Sequence, residues 1–228
     1  RSSRDSDRVG LGNYGKKGQY VSRQIKRLNA VAEQQSKTIG PIEGLGEVAE
    51  LLSTSSKHCP DSVSLVHGDF KIDNLIFHPT QPKVIGVLDW ELSTIGDLMC
   101  DIANLCMMYY IPPPNPKEGW GIAGIQGLEL KGTGIPTKME LLRLYCRFNK
   151  TVNMKALMDW RGFYLSFLFF KNCVIVHGVS QRAKLGVASS AVASEVASLL
   201  PRMVKMTRMA WEEQPAPLSK PNEIHSKL

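Results

Sequence analysis

The sequence predicts an α+β fold, mainly helical and interrupted by one short β-hairpin. Three observations predict it. Apolar residues recur at helical spacing over most of the 228 residues, and three short β-branched runs lie close together between residues 63 and 88. A content of 43% hydrophobic and 21% charged residues is that of a chain that buries a core. A chain of this length forms one domain or at most two.

Taken in order, residues 1–18 are polar and glycine-rich and read as a flexible lead-in. A helix with a thin apolar face is expected from about Tyr20 to Gln35. After Gly40 and Pro41 a second helical pattern carries Ile42, Leu45, Val48, Ala49 and Leu52. The runs Val63 to Val66, Leu75 to Phe77 and Val84 to Leu88 are read as the three strands of the chain. From Leu98 the spacing of Leu98, Ile102, Leu105 and Tyr109 returns to that of a helix. Residues 111–137, rich in Pro and Gly, read as a long surface insertion, followed by helices at 138–151, 158–181 and 187–212. The segment 214–228, with Pro215, Pro217 and Pro221, reads as an extended, flexible tail. The folded body is thus expected over 19–213.

Composition excludes several classes. The net charge of +7 comes from the two ends, since residues 41–181 carry twelve Lys and Arg against fourteen Asp and Glu. Without interleaved stacking aromatics, the basic ends read as solvated helix faces, and no nucleic-acid partner is expected. The apolar stretch Phe163 to Val179 is broken by Lys171, Asn172 and His177, so it reads as a buried helix and no membrane span is expected. Five cysteines without a C-x-x-C pair suggest neither a disulfide framework nor a zinc site, and fit a reducing compartment. The chain opens on Arg without a signal-peptide pattern, which reads as a truncated start.

The chemistry concentrates in Val66-His67-Gly68-Asp69-Phe70-Lys71-Ile72-Asp73-Asn74 and Val87-Leu88-Asp89-Trp90-Glu91. If Leu75 to Phe77 and Val84 to Leu88 pair as a hairpin, Asn74 falls beside Val87 to Asp89. Asp69 lies on the loop that leads into the same hairpin. Two carboxylates and a carboxamide are hard oxygen donors of the kind Mg²⁺ takes while sharing its shell with substrate phosphates. The spacing D-x-x-x-x-N, with a further Asp at a strand end, is how kinase-like enzymes hold metal and orient an acceptor hydroxyl. In that scheme Asp69 orients the hydroxyl and accepts its proton, Lys71 offsets charge on the transferred group, Asn74 and Asp89 hold Mg²⁺, and His67 supports the loop. Asp97 and Asp101 either cap and charge the helix that begins near Leu98 or order the catalytic loop.

These residues resemble the aminoglycoside phosphotransferase family of choline- and aminoglycoside-kinase-like enzymes. The likeness rests on the H-G-D-x-x-x-x-N loop, Leu88-Asp89-Trp90, and Gly96-Asp97-Leu98-Met99-Cys100-Asp101-Ile102-Ala103. Within the family it extends, through Tyr20 to Ile25 and His67 to Glu91, to the kinase-like part that precedes some acyl-CoA dehydrogenases. The resemblance implies the large, carboxy-terminal lobe of a protein-kinase-like fold, ATP and Mg²⁺ as cofactors, and transfer of phosphate to a small-molecule hydroxyl. The dehydrogenase context points to a hydroxyacyl-CoA acceptor.

Only 66 residues precede His67, and they show no strand pair, so the small lobe that covers ATP is expected to be missing and no nucleotide-binding residue is assigned. Gly10-Leu11-Gly12-Asn13-Tyr14-Gly15 fits G-x-G-x-x-G but follows no strand and reads as a loop. The alternative function is therefore an inactive fragment serving as a binding or regulatory module; a metal-dependent phosphohydrolase using Asp69 ranks behind it. Ser226-Lys227-Leu228 matches the address read by the peroxisomal import receptor, with mitochondria as the alternative location.

Overall fold

The structure, a computed structural model, describes residues 10–60, 62–114, 123–149, 152–187 and 198–214. The first half of the expected lead-in, part of the expected insertion, residues 188–197 of the last expected helix, and the tail with Ser226-Lys227-Leu228 lie outside the described residues. The chain builds two compact units, one from residues 1–20 and 61–158, the other from 21–60 and 159–228. The sequence reads as one continuous body over 19–213, because hydrophobic periodicity does not reveal which distant segments pack together.

The first unit carries the strands. β1 (Ser64–Val66) pairs antiparallel with β4 (Thr94–Gly96), with Leu65 opposite Ile95. β2 (Leu75–Phe77) pairs with β3 (Val84–Val87), with Leu75 opposite Val87 and a register irregularity at Phe77. The three expected strands are present to within a residue, and β4 is a fourth that the sequence reading lacks. Its three residues end in Gly96, too short a run to show alternation, and pairing with β1 is what makes them a strand. Short 3₁₀ turns at Ile72–Asn74 and Trp90–Leu92 lead into β2 and toward β4.

After β4 comes α3 (Met99–Cys106), which tightens into a 3₁₀ turn at Met107–Tyr109. The described parts of the Pro/Gly-rich insertion are tied back to it. Ile125 donates its N–H to the Met108 carbonyl at 2.9 Å, and the Tyr109 hydroxyl donates to the Pro136 carbonyl at 2.6 Å. α4 (Lys138–Phe148) starts at a reciprocal cap between Thr137 and Glu140. The Lys138 ammonium lies 4.1 Å over the Tyr110 ring. The lead-in is anchored where it is described: Tyr14 donates its N–H to the Leu11 carbonyl at 3.1 Å, and a Cβ on Gly15 would stand only 2.7 Å from the Ile95 nitrogen of β4.

The second unit is helical. It contains α1 (Tyr20–Ile39) from Val21 onward, α2 (Leu45–Ser55), α5 (Met154–Lys184) from Asp159 onward, and α6 (Leu200–Glu212). Its core is Val21, Ile25 and Leu28 of α1, Leu45, Val48 and Leu52 of α2, a nearly continuous buried run from Phe163 to Val174, and Met203, Val204 and Ala210 of α6. α5 is long and apolar enough to cross a membrane by length and composition, yet 72% of its apolar window is buried within the protein. Such a helix is apolar almost all round because protein, not water, surrounds it.

Two polar contacts tie this unit together. His177, buried on α5, meets the Gln35 side-chain oxygen and the Gly40 carbonyl, each at 3.0 Å. At the other end of α5 the Gln214 side chain inserts into the helix, its oxygen accepting the Phe163 N–H at 2.8 Å while its nitrogen donates to the Asp159 carbonyl. Gln214, placed in the tail by sequence, thus belongs to the folded body.

Candidate active site

The site is built on the loop between β1 and the first 3₁₀ turn. Burial of Val66 and His67 draws the loop inward, and Asp101 of α3 fixes its backbone. One Asp101 oxygen accepts the His67 N–H at 2.7 Å and the other the Gly68 N–H at 2.9 Å. Gly68 has φ +86°, and a Cβ there would stand 2.6 Å from the Leu92 carbonyl oxygen, so the middle residue of H-G-D must be glycine.

His67 is a structural member of the loop. Its Nε2 donates to the Leu88 carbonyl at 2.7 Å, which leaves Nδ1 to accept the Asp69 N–H at 3.3 Å. Its ring lies 4.7 Å from that of Trp90. The Leu88 N–H in turn donates to the Asn74 carbonyl at 2.8 Å, so the expected placement of Asn74 beside Val87 to Asp89 holds.

Around Asp69 the donors converge. Lys71 forms an ion pair with it at 3.0 Å. The Asn74 side-chain nitrogen donates to its Oδ2 at 3.2 Å and to its carbonyl at 2.8 Å. Asn104 of α3 donates to Oδ1 at 3.2 Å. Burial pushes the Asp69 carboxyl up, but the hydrogen bonds from Lys71, Asn104 and Asn74 and the Lys71 charge outweigh it and hold the group below its ordinary value. Sequence reasoning missed Asn104. The signal for it was a buried amide in an otherwise apolar helix, three residues after Asp101.

Asp89 follows Leu88 directly, in left-handed backbone with φ +64°. Its carboxylate is exposed and, among the described residues, carries no hydrogen bond or ion pair. Asp69 and Asn74 are therefore in contact, and the pairing of Leu88 with Asn74 delivers Asp89 to the same end of the hairpin. Of the two supporting aspartates, Asp101 orders the loop, whereas Asp97, buried just ahead of α3, accepts the N–H of the first helical residue, Met99, at 3.1 Å and the Ser62 hydroxyl at 2.6 Å.

Among the described residues no group of three or more His, Cys, Asp or Glu side chains gathers as a metal site. The donors offered are an uncommitted carboxylate, a partly committed one, and an amide whose nitrogen is engaged with Asp69, leaving its oxygen as the ligand atom. That all-oxygen set fits a hard cation that keeps water and phosphate in its shell, and does not fit zinc. The hairpin and the turn after it also carry exposed apolar side chains, among them Ile76, Phe77, Ile85, Leu88 and Trp90.

Residues 3–133, more than half of the chain, match the phosphotransferase enzyme family. The mouse acyl-CoA dehydrogenase family member 10 is 35% identical over 213 residues, which cover 91% of this chain and 18% of that protein. Human acyl-CoA dehydrogenase family member 11 is 35% identical over 184 residues, covering 79% of this chain and 22% of that protein. This chain thus spans about a fifth of the length of these relatives. A crystal structure from Ralstonia eutropha, assigned as an aminoglycoside phosphotransferase, is 35% identical and superposes with a TM-score of 0.77, covering 93% of this chain and 60% of that one.

Proposed function

The chain belongs to the phosphotransferase enzyme family and has its kinase-like fold, and from that premise we propose that it carries the catalytic loop of an ATP- and Mg²⁺-dependent transfer of phosphate to a small-molecule hydroxyl. The observation that carries this reading is the Asp69 carboxylate, ionised and steered by Lys71, Asn74 and Asn104, at the hairpin end where Asp89, among the described residues, stands uncommitted.

In this reading the Asp69 carboxylate accepts a hydrogen bond from the acceptor hydroxyl and aligns its oxygen with the γ-phosphorus. As the new O–P bond forms and the bond to ADP breaks, the hydroxyl proton passes to Asp69. A carboxylate held below its ordinary pKa is a weak base, so alignment is its main contribution and the proton moves late. Lys71 balances charge on the moving phosphoryl group. Asn74 and Asp89 would hold Mg²⁺, which when bound spreads positive charge over the phosphate oxygens. The exposed apolar side chains of the hairpin offer a seat for the nucleotide or for the elements that cover it.

The acceptor we propose is a hydroxyacyl-CoA. The relatives named as acyl-CoA dehydrogenases support it, as does the chemistry, because phosphorylation converts a hydroxyl into a leaving group. The experiment is ATP turnover with hydroxyacyl-CoA acceptors, followed as phosphorylated product. Asp69→Asn is expected to reduce turnover at least about 100-fold with the fold intact. Turnover unchanged in Asp69→Asn rejects the reading, and phosphate released to water with no acceptor phosphorylated moves it to a hydrolase. A binding or regulatory module without turnover is the second reading, favoured by the described residues ahead of β1, which form turns and two helices and no strand.

For location we propose the peroxisome, on Ser226-Lys227-Leu228. Deleting Leu228 should abolish import in cells, and import into mitochondria in both forms would reject it.

A further inference from the structure

The segment ahead of α1 carries a side chain that none of the roles above uses. The Tyr14 hydroxyl lies 2.5 Å from Ser93 Oγ, across 79 residues of sequence. The Ser93 hydroxyl proton is already donated to the Trp90 carbonyl at 2.5 Å, so Tyr14 is the donor in its pair with Ser93. The next residue, Gly15, presses on Thr94 and Ile95 too closely for any side chain, which holds Tyr14 in register with the turn it reaches.

That turn is the one that follows Asp89. Its Trp90 carbonyl accepts from both the Ser93 N–H, at 2.9 Å, and the Ser93 hydroxyl. The Trp90 indole N–H donates to the Val87 carbonyl at 2.9 Å, and the Trp90 ring leans on His67, which grips Leu88. Asp89 stands between these restraints in left-handed backbone, a conformation that Asp enters more readily than most residues with a Cβ and that these restraints help to hold. The backbone on its amino-terminal side is held by His67 and Asn74. On the carboxy-terminal side the hold comes from Ser93, and through Ser93 from Tyr14.

We infer that Tyr14 is a positioning residue: its hydroxyl holds Ser93, which closes the turn after Asp89, and so helps set where the Asp89 carboxylate stands. The inference rests on the reading of Asp89 as a metal ligand. It makes Tyr14 and Gly15 of the glycine-containing Gly10–Gly15 segment a brace for the carboxylate.

The test uses the full chain, with Mn²⁺ alone as probe. Mn²⁺ affinity is measured by water-proton relaxation for the wild type, Tyr14→Phe, Ser93→Ala, the double variant and Asp89→Asn, and the Mg²⁺ dependence of turnover is recorded beside it. Removing one hydrogen bond is expected to weaken Mn²⁺ binding, and to raise the Mg²⁺ needed for half-maximal turnover, about 3- to 10-fold. Turnover at saturating Mg²⁺ should stay within about twofold, and the double variant should match either single one. If Asp89→Asn loses Mn²⁺ while Tyr14→Phe and Ser93→Ala bind it as the wild type does, the inference is overturned and the metal reading stands. A lowered melting temperature with unchanged Mn²⁺ affinity also overturns it, by making Tyr14 merely structural. Mn²⁺ binding untouched by Asp89→Asn removes both.

Discussion

Asp101 does for the catalytic loop what no residue of the loop can do for itself. It commits both carboxylate oxygens to consecutive backbone N–H groups, those of His67 and Gly68. Asp101→Asn would turn one acceptor into a donor facing a donor. Denaturant unfolding should show a loss of about 1–3 kcal/mol, with a parallel fall in turnover, whereas Asp101→Glu should lose turnover mainly through a displaced loop. Asp69 gives a prediction in pH. Its pKa is lowered in the folded chain, so the unfolded chain binds its proton more readily as acid is added. The stability this contributes is complete above the ordinary carboxylate value and is lost as pH falls through the lowered one. Acid titrations of unfolding should therefore be flatter in Asp69→Asn below about pH 4; curves that superimpose on the wild type would show that Asp69 is not held ionised. The contact of Asn74 with Asp69 and the pairing of Leu88 with Asn74, which sets Asp89 one residue further on, were legible in sequence because they follow from a fixed spacing and one hairpin. Asn104, Tyr14 and Ser93 were not, since each acts across distances only the folded chain closes.

Among the elements, α5 shows how a side chain can stand in for backbone. The Gln214 amide bridges the Phe163 N–H and the Asp159 carbonyl, groups that would otherwise meet as one turn of helix. Gln214→Ala should leave both to find new partners and should destabilise the chain by about 1–3 kcal/mol in denaturant melts, with a weaker effect for Gln214→Glu. No change in midpoint would mean that the helix closes on itself without cost. The α4 boundary was legible in advance, because Thr137 and Glu140 form a local reciprocal cap. β4 was not, because three residues acquire strand geometry only from β1 across the pair. The long helix was expected over 158–181 and runs from Met154 to Lys184, its ends lying where apolar periodicity fades before helical hydrogen bonding does.

At the scale of the whole chain, the odd cysteine count corresponds to thiols of two kinds. Burial pushes Cys106 and Cys173 up to about 12, which leaves each a thiol at physiological pH. Cys59, Cys100 and Cys146 are half-buried. Titration of the native chain with a thiol reagent at pH 8 should modify Cys106 and Cys173 far more slowly than the other three, with all five reacting after denaturation. Equal rates in the native chain would contradict the burial of α3 and α5. The division into two units places the catalytic loop, its hairpin and the Tyr14 segment in one and the long buried helix in the other, so the residues assigned to chemistry all belong to a single unit.

The amino-acid order alone was enough to specify the phosphotransferase loop, the hairpin register beside it and the helical texture of the rest, because each depends on contacts between residues near one another in the chain. Which carboxylate meets the start of α3 and which clamps the loop, why Asp69 stays ionised, and how a tyrosine ahead of the first helix reaches the turn behind Asp89 were settled by folding. Those outcomes depend on hydrogen bonds between segments roughly thirty to eighty residues apart, and a partner at that distance leaves no periodic trace in either sequence.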